Sequence, residues 1–197
     1  MPRRMPMTHD AMRAKAVGIA RDLVARDGLA GLAARPLAAA LGCSVGSLYN
    51  LFVDLDDIVL HVAASVLDDM AAALFDGELP AEPVARVVEI ARRYLRFAAA
   101  EGRLWAMVFE HEPTHDRPTP DWQLDRIARL TAAVHAAVAP AVARAGEPDA
   151  VRRAVEVLWA SVHGIAALAQ KGKLGFVAEA EAEALAERLV VAFLRGL

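Results

Sequence analysis

Apolar side chains in this chain recur three and four residues apart, segment after segment, with polar positions between them. That spacing puts them on one face of a helix. Met12, Ala16, Ile19 and Leu23 form the first such stripe. Thr8 is placed to cap this helix, which runs to Asp27 and stops at Gly28, because glycine takes a left-handed cap conformation without steric cost. The pattern predicts a short second helix over Pro36–Leu41, ended by Gly42, and a third through Phe52 capped by Ser44. Asp54 caps a longer helix to about Phe75, with Ile58, Val62, Val66, Met70 and Ala73 turned inward.

The breaker cluster Gly77–Pro83 precedes a helix over Val84–Ala100, whose inner stripe is Val84, Val87, Ala91, Tyr94 and Ala98. Gly102 ends it, and Arg103–Glu110 makes a short helix. A polar loop is predicted over His111–Pro120, which holds three prolines. Asp121–Arg144 is helical with Leu124, Ile127, Thr131, Val134 and Val138 aligned, and Pro140 is expected to kink or shorten it. After a turn over Ala145–Asp149, two helices close the chain, over about Ala150–Gln170 and Glu179–Leu194. The penultimate carries Val151, Val155, Leu158, Val162 and Ile165. The last has two stripes, one of Leu185, Leu189 and Phe193 and one of Val190, Leu194 and Leu197. A band that wide buries two faces, one on the chain's own body and one on a partner.

Composition sharpens this into an all-α expectation. The chain has 197 residues, enough for a core without staples, and 56% of them are hydrophobic, with Ala and Leu prominent. Its one cysteine, Cys43, excludes an intramolecular disulfide and fits a reducing cytoplasm. The first residues lack an apolar stretch of signal-peptide length. The apolar runs Leu130–Ala143 and Val157–Gln170 hold polar groups and are too short to span a bilayer. A soluble, cytoplasmic protein with no membrane partner is the expectation.

Net charge is -3, but its distribution is uneven. Residues 1–53 carry seven basic and three acidic side chains, against 15 and 22 in residues 54–197. A basic head joined to an acidic body suggests two domains, 1–53 and 54–197, with the head suited to a polyanion. Within it, three short helices with Gly42-Cys43-Ser44 between the last two match a helix-turn-helix, whose final helix lies in the major groove. Ala38, Leu41, Cys43, Leu48 and Phe52 supply the inner side. Val45, Gly46, Ser47, Tyr49, Asn50 and Leu51 remain for the outer side and the start. Phenolic hydroxyls, amides and helix N-termini are common phosphate contacts, and Gly46 allows close backbone approach. The same pattern also suits an ordinary helical hairpin with a half-buried Tyr49 and a surface Asn50.

The segment RPLAAALGCSVGSLYNLFVDLDDIVLHV resembles the DNA-binding region of the tetracycline-repressor (TetR) family of bacterial transcription regulators. Leu37, Ala38, Gly42, Ser44, Gly46, Leu48, Tyr49 and Phe52 carry the likeness. The resemblance implies an N-terminal three-helix head that binds double-stranded DNA and a C-terminal body that senses a small-molecule effector. It also implies a homodimer formed through the last two helices. Candidate DNA contacts are then Arg3, Arg4, Arg35, Ser44, Val45, Gly46, Ser47, Tyr49 and Asn50. Leu51 and Leu55 depart from the family's polar and basic residues. Both departures remove phosphate contacts and point to a shallow salt dependence. A second resemblance, in Trp159, His163 and Gly164, is to the Trp-His-Gly subgroup of the family's C-terminal domains. There Gly164 lets another helix come close, while a core histidine beside a packed tryptophan explains the same residues.

For an effector, the large or polar side chains of the middle helices are the candidates: Tyr94, Trp105, Phe109, Trp122, Trp159 and His163, with Met107 and His135. An apolar or aromatic molecule suits them. No cofactor is implied. The stretch His111–His115 spells the His-Glu-x-x-His zinc pattern, so a metal-dependent hydrolase using His111, Glu112 and His115 is the alternative. Pro113 opposes it, because it removes an amide and pushes Glu112 out of helical geometry. A helical ligand-binding protein whose DNA head has decayed is a third reading, carried by Leu51 and Leu55.

Overall fold

The computed structural model describes residues 8–112, 118–142 and 149–196. Among these the fold is all-α, without a strand. The helices are α1 (His9–Asp27), α2 (Ala34–Leu41), α3 (Val45–Tyr49), α4 (Leu55–Phe75), α5 (Pro83–Ala100), α6 (Gly102–Glu110), α7 (Asp121–Val142), α8 (Ala150–Gln170) and α9 (Ala182–Arg195). Backbone packing divides them into two compact units. One comprises the chain up to Val66 together with Arg103–Thr119; the other comprises Leu67–Gly102 and the chain from Pro120 onward.

In the first unit α1 packs on α2 and α2 on α3. Thr8 caps α1 by accepting from the Ala11 amide at 3.2 Å, and Gly28 stops it at φ 75°, where a side chain would be strained. Gly42 ends α2 in the left-handed region. The Gly42 and Cys43 amides then reach back to the Ala39 and Ala38 carbonyls, a double bond pattern that satisfies the helix's last acceptors. Asp54 accepts from the Asp57 amide at 2.9 Å and starts α4. The core of this unit includes Ala16, Ala20, Leu23, Val24, Leu37, Ala38, Leu41 and Leu48.

α4 is long and apolar enough to cross a bilayer by length and composition alone, although Asp68 and Asp69 interrupt its apolar run. Half of its most apolar stretch is buried, and Ile58, Val62, Val66 and Met70 are wholly so. The expected inner Ala73 is exposed; Leu74, four residues after Met70, is buried in its place.

In the second unit α5 is the hub, packing against α7, α8 and α9, while α8 also packs on α7 and α9. Glu82 caps α5, its two carboxylate oxygens accepting from the Val84 and Ala85 amides. These bonds hold its carboxyl below the usual carboxylate range. The inner face of α7 differs from the sequence expectation. Leu124, Ile127 and Thr131 are exposed, and Gln123, Leu130, Ala137, Val138 and Val142 are buried. The true stripe is rotated because alanine and one glutamine, not only large apolar residues, face inward. Pro140 lies in the last turn of α7, where it removes one hydrogen bond without ending the helix. Ala145–Pro148 and Leu197 lie outside the described residues. On α9, Ala186, Val190 and Leu194 are buried while Leu185, Leu189 and Phe193 are half-exposed, which separates its two stripes.

Arg93 holds the α4–α5 connection. Its guanidinium donates to the Leu74 carbonyl at 3.3 Å, the Asp76 carbonyl at 2.8 Å and the Glu78 carbonyl at 2.7 Å, and to Glu89 at 3.0 Å. It thereby satisfies acceptors at the end of α4 that the helix leaves unpaired. Replacing Arg93 with Ala is expected to cost about 1–3 kcal/mol in urea unfolding, and Arg93→Lys, which lacks the planar fork, to restore only part of it.

Candidate functional site

α3 is short and its two sides differ. Leu48 is fully buried and Phe52 nearly so, while Tyr49 is 43% exposed and Gly46 and Asn50 are exposed. Val45 and Ser47 are half-buried, as is Cys43. Ser44 is committed to capping, accepting from the Ser47 amide at 3.0 Å and sharing a hydrogen bond with the Ser47 hydroxyl at 2.9 Å. A cap's side chain stays at the helix start, so these two hydroxyls border the exposed face. Tyr49 and Asn50 thus stand outward, not in the core of a closed hairpin.

Leu51 does not belong to the outer side, where the helical pattern put it. It is only 4% exposed. The chain tightens after Tyr49: the Leu51 amide bonds the Leu48 carbonyl at 2.9 Å and the Asn50 amide reaches Ser47 at 3.3 Å. At three residues per turn, positions 48 and 51 eclipse, so both leucines face the core. Leu51 is a core residue and subtracts nothing from a polar surface. Leu55 is half-buried in the first turn of α4.

The basic head is less available than its charge suggests. Arg13, which sequence reading did not single out, donates twice to the Leu51 carbonyl, at 2.8 and 3.1 Å, and lies 5.8 Å from the centre of the Phe52 ring. His9 bonds the Asn50 carbonyl at 3.1 Å. Arg21 reaches the Ser65 hydroxyl and Arg26 pairs with Asp27 at 2.6 Å. Lys15 and Arg35 are exposed. Arg3 and Arg4 lie outside the described residues. No pattern in the sequence marks Arg13 as a clamp, since it differs from its basic neighbours only in facing the α3 exit. Arg13→Ala should lower stability by roughly 2 kcal/mol and speed hydrogen exchange at the Leu51 and Phe52 amides.

The second unit contains an apolar cavity of about 50 Å³. Val87, Ala91 and Tyr94 of α5 face Val134 and Val138 of α7, Trp159 and Val162 of α8, and Val190 of α9. Of the expected effector residues, Tyr94 and Trp159 line it, their ring centres 5.2 Å apart. His163 stands behind Tyr94, its Nδ1 2.8 Å from the phenolic oxygen. Trp105 and Phe109 do not line this cavity; they are ring neighbours at 5.2 Å within the first unit. Trp122 does not line it either and lies under the Arg126 guanidinium, 5.9 Å away. Met107 is buried and His135 half-buried, neither on the cavity wall. A Cβ at Gly164 would meet nothing within 4 Å, so no described element uses the close approach expected there.

Burial holds the His163 pKa below the ordinary 6.5. The folded chain then takes up this proton at lower pH than the unfolded chain does. The stabilising share of neutral His163 is complete above pH 6.5 and is lost as pH falls through the folded value. In thermal unfolding at stepped pH, wild type should lose more stability below pH 6.5 than His163→Gln, which keeps a hydrogen-bonding group beside Tyr94 but does not titrate.

The zinc pattern is not assembled as a helix-borne site. α6 closes at Glu110, and His111 sits past its end, its Nε2 3.3 Å from Asp56 Oδ1. Glu112 is exposed, and Pro113 and His115 lie outside the described residues. Among the described residues, no group of three or more His, Cys, Asp or Glu is placed to hold a metal.

Comparison with known proteins adds the family context. A family model described as tetracyclin repressor-like, C-terminal domain, matches residues 87–193. A structure of a protein with unknown function from Rhodococcus sp. RHA1 is 26% identical, covers 98% of this chain and 99% of its own, and superposes with a TM-score of 0.79. A tetR-family transcriptional regulator from Streptomyces coelicolor is 18% identical, with 95% of this chain and 80% of that one covered and a TM-score of 0.69. For the TetR family transcriptional regulator PfmR from Thermus thermophilus the values are 19%, 93%, 98% and 0.63. The last two share the fold. No curated protein matches the sequence. The Trp-His-Gly subgroup is not part of what these matches show.

Proposed function

We propose that this chain, which belongs to the tetracyclin repressor-like family of transcriptional regulators, is a homodimeric repressor released from its operator by a small apolar effector. It is a regulator and not an enzyme, so the hydrolase reading of His111, Glu112 and His115 falls away. One observation carries the proposal: Tyr49 and Asn50 are presented outward at the end of α3, while Leu48 and, just past the helix, Leu51 and Phe52 are held in the core. Leu51, as a core residue, no longer favours a decayed DNA head.

In this reading residues 1–53 form the DNA-binding module and 54–197 the effector and dimerisation body, and the protein acts in the cytoplasm. Two copies of Val45–Phe52 enter successive major grooves about 34–36 Å apart on a pseudo-palindrome. The hydroxyl of the Ser44–Ser47 pair whose proton is free and the Tyr49 phenol donate to phosphates, Val45 and Gly46 allow close approach, and Asn50 meets base edges. Arg35, with Arg3 and Arg4, adds charge. The partner surface is the outer side of α8 and α9, where Val157 and Leu168 are exposed and Leu185, Leu189 and Phe193 half-exposed. Those apolar groups support a second copy as the cover. Effector binding weakens DNA affinity only by preferring the conformation that binds DNA poorly.

Footprinting upstream of its own and neighbouring genes locates the operator. On such fragments, Tyr49→Ala is expected to weaken binding about fivefold, one lost neutral hydrogen bond, alike at every sequence. It leaves the salt slope unchanged, because a phenol displaces no counterion. Arg35→Ala should reduce that slope by about one. Unchanged affinity in gel shift would remove Tyr49 from the interface.

A further inference from the structure

The cavity of the second unit lacks any charged side chain in its lining; its polar groups are the Tyr94 phenol and the Trp159 indole. The cations of α5 are engaged elsewhere: Arg92 pairs with Glu187 at 2.7 Å, and Arg93 holds the α4–α5 connection. His163, behind Tyr94, is kept neutral at pH 7 by burial. An ionic ligand here would give up its hydration and find no counter-charge. The two aromatic rings, inclined at 57° to each other, form a corner that suits the face and edge of a third ring.

The cavity is also too small as it stands. At about 50 Å³ it lies far below the range of ligand sites, about 300–1,000 Å³. Something must move. Val87, Val134, Val138, Val155 and Val162 are β-branched, and their χ1 angles are restricted on a helix. Trp159 is different: it is unbranched at Cβ and only partly buried, so it has solvent to turn into.

Resting on the regulator reading above, we propose that the effector is an uncharged, ring-bearing molecule that makes its room by turning the Trp159 indole outward and stacks against Tyr94. Charge on the ligand is selected against by the wall itself, and the tryptophan sets the rate of entry.

The test uses the full chain and two fluorescent probes with the same ring system, neutral N-phenyl-1-naphthylamine and its sulfonated analogue 8-anilino-1-naphthalenesulfonate. The neutral probe should bind saturably, one per protomer, at least tenfold more tightly than the sulfonate. Equal or tighter binding of the sulfonate, or no saturable binding of the neutral probe, overturns the proposal. In stopped flow, Trp159→Ala should speed association of the neutral probe at least tenfold, and an unchanged rate overturns the role of Trp159. Trp159→Leu serves if the alanine variant loses its helical circular dichroism, and the probe comparison on wild type needs no variant. Gel shift on the same preparations reads DNA binding separately. A protein that binds DNA but prefers the sulfonate refutes the effector class and leaves the regulator reading standing.

Discussion

A helix of five residues cannot hold itself together in water, because ordering its first turn costs more than a few hydrogen bonds return. α3 is such a helix, and the proposed DNA interface depends on what pins it. Leu48, Leu51 and Phe52 are buried on one side, the last two by a tightened turn after Tyr49. Arg13 holds the exit of that turn through the Leu51 carbonyl and the face of Phe52. Ser44 fixes the start and the paired Gly42 and Cys43 amides fix the turn before it. With both ends and the inner side secured, Tyr49 and Asn50 have one direction left, toward solvent.

That arrangement changes the meaning of the basic head. Of its arginines, Arg13 and Arg21 bond within the fold and Arg26 is neutralised beside Asp27. Formal charge counts overstate what a phosphate backbone can meet. At the proposed DNA interface, affinity would lean on neutral donors and on exposed cations such as Lys15 and Arg35. This gives a physical ground for the shallow salt dependence expected from the sequence, different from the one the sequence offered. It lies with arginines already bonded within the head, and Leu51 has no part in it.

The second unit follows another constraint. α5 touches α7, α8 and α9, so its inner face is closed in on several sides, and the polar atoms there need partners within the fold. The Tyr94 hydroxyl finds His163. Burial disfavours the charged form of that histidine, and the cavity beside it is walled by aromatic rings and stiff valines. A bundle packed this closely has little spare volume, and a binding site in it is a matter of which side chain can yield.

Much of this was legible from residue order. The 3.6-residue spacing located the helices, and Thr8, Gly28, Gly42, Ser44 and Asp54 marked ends where the structure has them, because caps act through neighbouring backbone groups. The motif around Gly42, Ser44, Tyr49 and Phe52 already pointed to a DNA-binding regulator. Tertiary structure alone decided which of two candidate stripes of α7 faces inward, since alanine packs as well as leucine where helices come close. It alone put Leu51 in the core, through a local change of helical pitch that no apolar pattern encodes. It separated Tyr94 and Trp159, on one cavity wall, from Trp105, Phe109 and Trp122, which are equally aromatic. Local signals fix where an element begins and ends; what its side chains meet depends on partners distant in the chain, and only the packed fold supplies those.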